Sequence, residues 1–152
     1  MLRLLLVEHR RQIERTGCLA ACAQMALHYI GISQSQAQLN RLLGLTPEGV
    51  PSSRIQRLSR LGVEVVYASG DETLLKEAID RGAPLIIFVD TGELPYWNTR
   101  LRHTVIVIGY DETQVYLNDP VQPTGPTAVS WGDLMLAWSE FDYKYALIFA
   151  GQ

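Results

Sequence analysis

The period of apolar and polar positions changes along the chain. Leu19, Cys22, Ala23, Ala26, Leu27 and Ile30 recur at i, i+3, i+4, i+7, i+8 and i+11, which predicts a helix with one buried stripe. Thr16 is its expected N-cap and Gly31 its stop. The stretch "SQSQAQLNRLLG" predicts a second helix, capped near Ser33 or Ser35 and ending at Gly44. "PSSRIQRLSRLG" predicts a third, ending at Gly62. Beyond it the pattern turns to strand. "VEVVYA" is β-branched, and "APLIIFVD" is apolar throughout and expected at the centre of a sheet. Between them "DETLLKEAIDRG" reads as a helix capped by Asp71 and stopped by Gly82. "HTVIVIGYDETQVYLNDP" reads as two strands joined by a polar turn. "TGELPYWNTRLR" and "VQPTGPTAV" read as loops. Ser130 caps a helix in "WGDLMLAWSEF", where Trp131 and Trp138 read as core, and "YKYALIFA" closes the chain as a strand.

Helices gathered in the first sixty residues, followed by a mainly antiparallel sheet with two helices, indicate an α+β fold. The 152 residues are enough for one domain with its own core, expected to span 1–152. A hydrophobic content of 47% and a charged content of 19% are those of an ordered globular chain. The net charge of −3 argues against nucleic acid as a partner. The clusters Arg10, Arg11, Arg15 and Arg54, Arg57, Arg60 read as solvated faces. The opening "MLRLLLVEHRRQ" is too short an apolar run for a signal segment, and no stretch reaches the ~20 apolar residues of a membrane span. Two cysteines four residues apart are not a disulfide framework; free thiols and a cytoplasmic location are expected.

Cys18 falls in the first turn of the first helix, where the partial positive charge of the helix end favours a thiolate. Packing and nucleophilic roles are both open to it, whereas Cys22 falls in the apolar stripe and reads as core. A nucleophilic thiol needs a base. Of the three histidines, His28 falls on the exposed flank of the first helix and His9 in the N-terminal arm. His103 opens an apolar strand, and the hairpin returns Asp119 to the same end. A carboxylate there would set the imidazole tautomer and stabilise its charged form. Asp119 is the favoured partner and Asn118 the alternative. Acyl transfer also needs oxyanion donors, for which the Cys18 N–H and the Gln12 side chain are candidates. Tyr96 and Trp97, two loop aromatics just before His103, are candidates for a cleft wall or for capping the end of the sheet. No metal-ligand spacing, phosphate loop or dinucleotide fingerprint is present, so neither a metal nor another cofactor is expected.

Gln12, Cys18, His103 and Asp119, in that order, resemble the papain-like leader peptidases that process double-glycine bacteriocin precursors. "QIERTGCLAACAQMALHYIG" matches the family's glutamine six residues before the cysteine and its Ala-rich helix ending in Tyr–x–Gly. "HTVIVIGYDETQVYLNDP" matches the histidine strand, the Gly–Tyr–Asp and the Asn–Asp–Pro. "APLIIFV" and "AWSEFDYKYALI" extend the likeness to stand-alone bacterial members over nearly the whole chain. The resemblance implies a papain-like fold with the cysteine helix packed on the histidine sheet. It implies Cys18 as nucleophile, His103 as base and then acid, Asp119 orienting His103, and Gln12 in the oxyanion hole. One departure stands out: Gly17–Cys18–Leu19 replaces the usual Asp–Cys–Gly, and Leu19 is expected to narrow the cleft and alter the substrate.

The leading expectation is therefore a cysteine peptidase acting on a peptide or protein substrate. Two alternatives remain at this stage: a non-catalytic peptide-binding module on the same fold, and an acyl transferase using the same triad.

Overall fold

The computed structural model describes residues 1–151. A seven-stranded sheet is built from β1 (Arg3–Leu4), β2 (Glu64–Ser69), β3 (Leu85–Asp90), β4 (Arg102–Tyr110), β5 (Gln114–Asn118), β6 (Thr127–Ser130) and β7 (Lys144–Phe149). Its order is β2-β7-β3-β4-β5-β6, with β1 added to β4, and every pairing is antiparallel. β3 is buried over Leu85–Val89, as its unbroken apolar run requires of a central strand.

Alternation along β3, β4 and β7 divides the core in two. Ile86, Phe88, Ile106, Ile108, Ala146 and Ile148 face α1 (Cys18–Tyr29), α2 (Gln36–Leu43) and a 3₁₀ helix (Ser52–Leu61). Leu85, Ile87, Val89, Val105, Val107 and Leu147 face α3 (Glu72–Asp80) and α4 (Trp131–Ser139). The fold is α+β with helices on both faces of the sheet.

α1 is buried on more than one stripe: Ala20, Ala21 and Met25 are covered along with Leu19, Cys22, Ala23, Ala26 and Leu27. Small alanines let it lie between the sheet and the helices outside it. Its N-cap is Gly17, not Thr16, and no side chain caps it; the Thr16 hydroxyl donates to the Thr46 carbonyl at 3.1 Å. α2 begins at Ser35 with a complete capping box and ends at the left-handed Gly44.

The third predicted helix is 3₁₀ over ten residues. Its sequence repeats every three positions, with Ile55 and Leu58 buried and Leu61 packed beside them, while Arg54, Arg57 and Arg60 form a second row. Three residues per turn aligns such rows. Arg54 and Arg57 donate to the carbonyls of Leu42, Leu43 and Gly44 at the end of α2, so two of the three arginines are helix-end caps.

β6 lies in a stretch read as loop from its Gly and Pro, yet Thr127–Ser130 pair along β5. Trp138 is fully buried, whereas Trp131 is half-buried and lies under Lys76. Gly109 marks an irregularity in the β4–β5 pairing, and a side chain there would collide with the backbone of Arg3 in β1. That close approach ties the N-terminal arm to the sheet.

Candidate active site

The site forms where the start of α1 meets the start of β4. Thr104 of β4 is buried, and two thiols of α1 converge on it. Cys22 Sγ–H donates to the Thr104 carbonyl at 3.5 Å, while Cys18, one turn earlier, meets the Thr104 N–H and side chain. In an antiparallel strand a residue's N–H and C=O point the same way. Here both are met by thiols of α1. Cys18 is thereby fixed at the strand edge, half-buried, beside His103.

His103 Nε2 donates to Asp119 Oδ1 at 2.7 Å, and both residues are buried. A carboxylate only accepts, so Nε2 carries a hydrogen and Nδ1 is left for the thiol. The other Asp119 bonds complete its capacity. The Val121 N–H donates to Oδ1 at 3.0 Å, Tyr96 OH to Oδ2 at 2.6 Å, and Trp97 Nε1 to Oδ2 at 2.9 Å. Asn118, the alternative partner, turns instead to the arm, donating from Nδ2 to the Val7 carbonyl.

These contacts set the charges. Burial opposes ionisation of Cys18, but its hydrogen bond to His103, the His103 charge and the contacts with Thr104 outweigh it, so the thiol pKa lies below its usual value. Burial also opposes the His103 imidazolium, but the bonds to Asp119 and Cys18 raise its pKa to about 9. For Asp119, burial works against the carboxylate, and His103, Tyr96 and Val121 prevail, lowering its pKa. Cys22 has no such partner; burial, then the charges of Cys18 and Asp119, push its thiol well up. The arrangement thus favours ionisation of Cys18 and holds His103 protonated at neutral pH.

The N-terminal arm holds the Asp119 loop in place. Gln12 N–H donates to the Pro120 carbonyl at 2.7 Å, and the His9 ring bonds the Gln122 carbonyl at 2.7 Å. Gln12 Nε2 donates to the carbonyls of Glu14 and Arg15, at 3.1 and 2.8 Å. Both amide hydrogens thus brace the turn that delivers Cys18.

The structure brings Cys18, His103 and Asp119 together and sets Gln12 in the turn before Cys18. Tyr96 and Trp97 direct their polar atoms inward to Asp119, and the Trp97 ring meets His103 edge-on, with centroids 4.9 Å apart. Leu19 is corrected: it is 2% exposed in the core between α1 and the sheet, so its side chain offers no surface to a cleft. Residue 19 points away from the thiol side because neighbours on a helix are about 100° apart. Thr104 was missed; only its place after His103 could have signalled it. No group of three or more His, Cys, Asp or Glu among the described residues could hold a metal.

The family described as peptidase C39-like matches residues 4–147. The chain belongs to the peptidase C39-like family. Its fold agrees with solved members. A protein described as a C39-like peptidase from Bacillus anthracis superposes with a TM-score of 0.79 at 18% identity, covering 98% of each chain. The peptidase domain of Streptococcus ComA, a bi-functional ABC transporter of a quorum-sensing pathway, gives 0.78 at 21% identity, covering 95% of this chain and 98% of that one. The double-glycine-motif protease of an AMS/PCAT transporter, solved with its leader peptide, gives 0.76 at 18% identity, covering 97% and 94%. The comparison with curated proteins returns no match. The C39-like fold is thus the papain-like arrangement expected, with the cysteine helix packed on the histidine sheet. No helix among the described residues is long and apolar enough to cross a membrane.

Proposed function

We propose that this C39-like protein is a cysteine peptidase, with Cys18 as nucleophile, His103 as acid and base, and Asp119 as the group that orients His103. The observation that carries the reading is the buried His103–Asp119 pair, whose free ring nitrogen serves a thiol of lowered pKa. Cys18 S⁻ attacks the peptide carbonyl carbon, and the carbonyl π electrons move to oxygen. The Cys18 N–H receives this oxyanion. It stands at the first helical position, where no intrahelical partner exists and no side chain caps the turn. Gln12 acts as the second donor by exchanging one loop carbonyl, the Glu14 bond being the longer of its two.

When the tetrahedral adduct collapses, His103 Nδ1–H protonates the departing amine and the C–N bond breaks, leaving a thioester on Cys18. Water then attacks the thioester carbonyl while Nδ1 takes its proton. Collapse expels the thiolate and restores the ion pair. The solved complex of the AMS/PCAT protease with its leader peptide supports a peptide as substrate. The free thiols suit a reducing, cytoplasmic setting.

The test is cleavage of a proteome-derived peptide mixture, with new termini identified by mass spectrometry. The wild type is expected to generate new termini at a shared sequence feature, and Cys18→Ala none. Identical cleavage by Cys18→Ala would remove the assignment.

A further inference from the structure

We infer that Tyr96 and Trp97 are positioning residues for Asp119, not a wall of the peptide cleft; the inference rests on the peptidase reading above. An ionised carboxylate has about four lone-pair positions to fill. Asp119 is fully buried, so protein must fill them. Two are taken on Oδ1 by His103 and the Val121 N–H, and two on Oδ2 by Tyr96 OH and Trp97 Nε1. Oδ1 is the oxygen that serves His103. Oδ2 has no partner outside this one loop. The loop therefore sets both the rotation of the carboxylate and the stability of its charge.

The loop is built to hold that position. At its neck, Thr91 N–H donates to the Leu101 carbonyl at 3.0 Å. The fully buried Thr91 hydroxyl donates to the Thr99 carbonyl at 2.7 Å and accepts from the Leu101 N–H at 2.9 Å. Arg100 bridges Asp90 and Glu93 across the same neck. Within the loop Leu94 is buried, and its carbonyl accepts from the Trp97 N–H at 3.1 Å. Tyr96 and Trp97 are consecutive, yet both polar tips meet one oxygen. The Trp97 ring also covers the edge of His103. A cleft wall needs the ring faces only, whereas this arrangement needs the phenol O–H and the indole N–H.

The two functions separate under substitution. Tyr96→Phe and Trp97→Phe keep an aromatic ring and remove one donor each. The probe is the protein labelled with ¹³C at the aspartate carboxyls, with Asp119 assigned by its loss in Asp119→Asn. Removing a donor to a charged oxygen disfavours the charged form, so the Asp119 midpoint should rise by about one pH unit in each variant. The amide spectrum of each variant must remain native, because an unfolded chain would also raise the midpoint. In parallel, Cys18 alkylation by iodoacetamide at pH 6 should slow in each variant, because a carboxylate turned from its position holds the His103 charge less well. Unchanged midpoints and unchanged alkylation in both folded variants would overturn the positioning role and return the aromatics to the cleft wall. A wild-type Cys18 that alkylates as slowly as an ordinary thiol, with midpoints that still rise, would overturn the peptidase reading while leaving Asp119 anchored by the loop.

Discussion

Cys18 and Cys22 stand one turn apart on α1 and meet the backbone N–H and C=O of one residue, Thr104, yet the same strand makes them different reagents. Cys22 gives its S–H to the Thr104 carbonyl in a dry core, and its pKa is driven well up. Cys18 lies against the Thr104 N–H and the His103 ring, and its pKa falls despite burial. The helix end favours an anion at both only weakly, since its field fades within a turn. What separates the two is a charged partner. That partner is His103, whose charge Asp119 favours.

The largest expected effect tests whether that division is complete. Cys18→Ala leaves Cys22 as the only thiol, and iodoacetamide labelling at pH 7 should drop to the residual rate of a thiol that is ionised to less than about one part in a hundred there. Hydrolysis should vanish altogether. His103→Ala should make Cys18 resemble Cys22, with cleavage lowered about 10³-fold and the pH edge of alkylation moved up toward the ordinary thiol value. Asp119→Asn keeps the shape but offers an NH₂ where Tyr96, Trp97 or His103 donates. Activity should fall about 10²-fold, and chemical denaturation should show a stability loss of about 3 kcal/mol.

A subtler contrast lies in the pH dependence of stability. Between pH 6.5 and about 9 the folded chain keeps a proton on His103 that the unfolded chain has lost, so this group stabilises below 6.5 and its contribution declines as pH rises to 9. The Cys18 thiol is shifted the other way, below its ordinary 9.0, so its contribution grows as pH rises toward 9. The two slopes oppose, so wild-type stability should change less with pH than His103 alone would make it. In Cys18→Ala the opposing slope is gone, and stability should fall as pH rises, over a window narrower than the wild-type one because Cys18 no longer helps to raise the His103 pKa. Urea titrations at pH 6.5 and 9 read the difference. The smallest effect concerns Cys22 itself: Cys22→Ala should cost about 1 kcal/mol of stability and leave Cys18 alkylation unchanged.

The features legible in the sequence are those with a period. The strand "HTVIVIGY" and its return through "VYLND" put His103 and Asp119 at one end of a hairpin whatever the exact turn. The apolar stripe of α1 gave away a buried helix just beyond Gly17. Where several packing partners act together, the pattern underdetermined the result. Leu19 could be placed beside the thiol, but only the elements outside α1 decide that it is core. The three-residue repeat of the 3₁₀ helix passed for an ordinary amphipathic helix because arginines and serines separate its apolar positions. Tyr96 and Trp97 lie in a loop without period, and nothing in their order says that both tips meet the same carboxylate oxygen. Thr91 and Arg100, which close that loop, are equally silent in sequence.

The proposed Cys18–His103 ion pair can be read from the alkylation rate of Cys18 against pH in a Cys22→Ala background, with His103→Ala alongside. The expected result is a fast plateau that persists well below pH 8 and is lost in the histidine variant. A single slow rise centred near the ordinary thiol value, the same with and without His103, would contradict it.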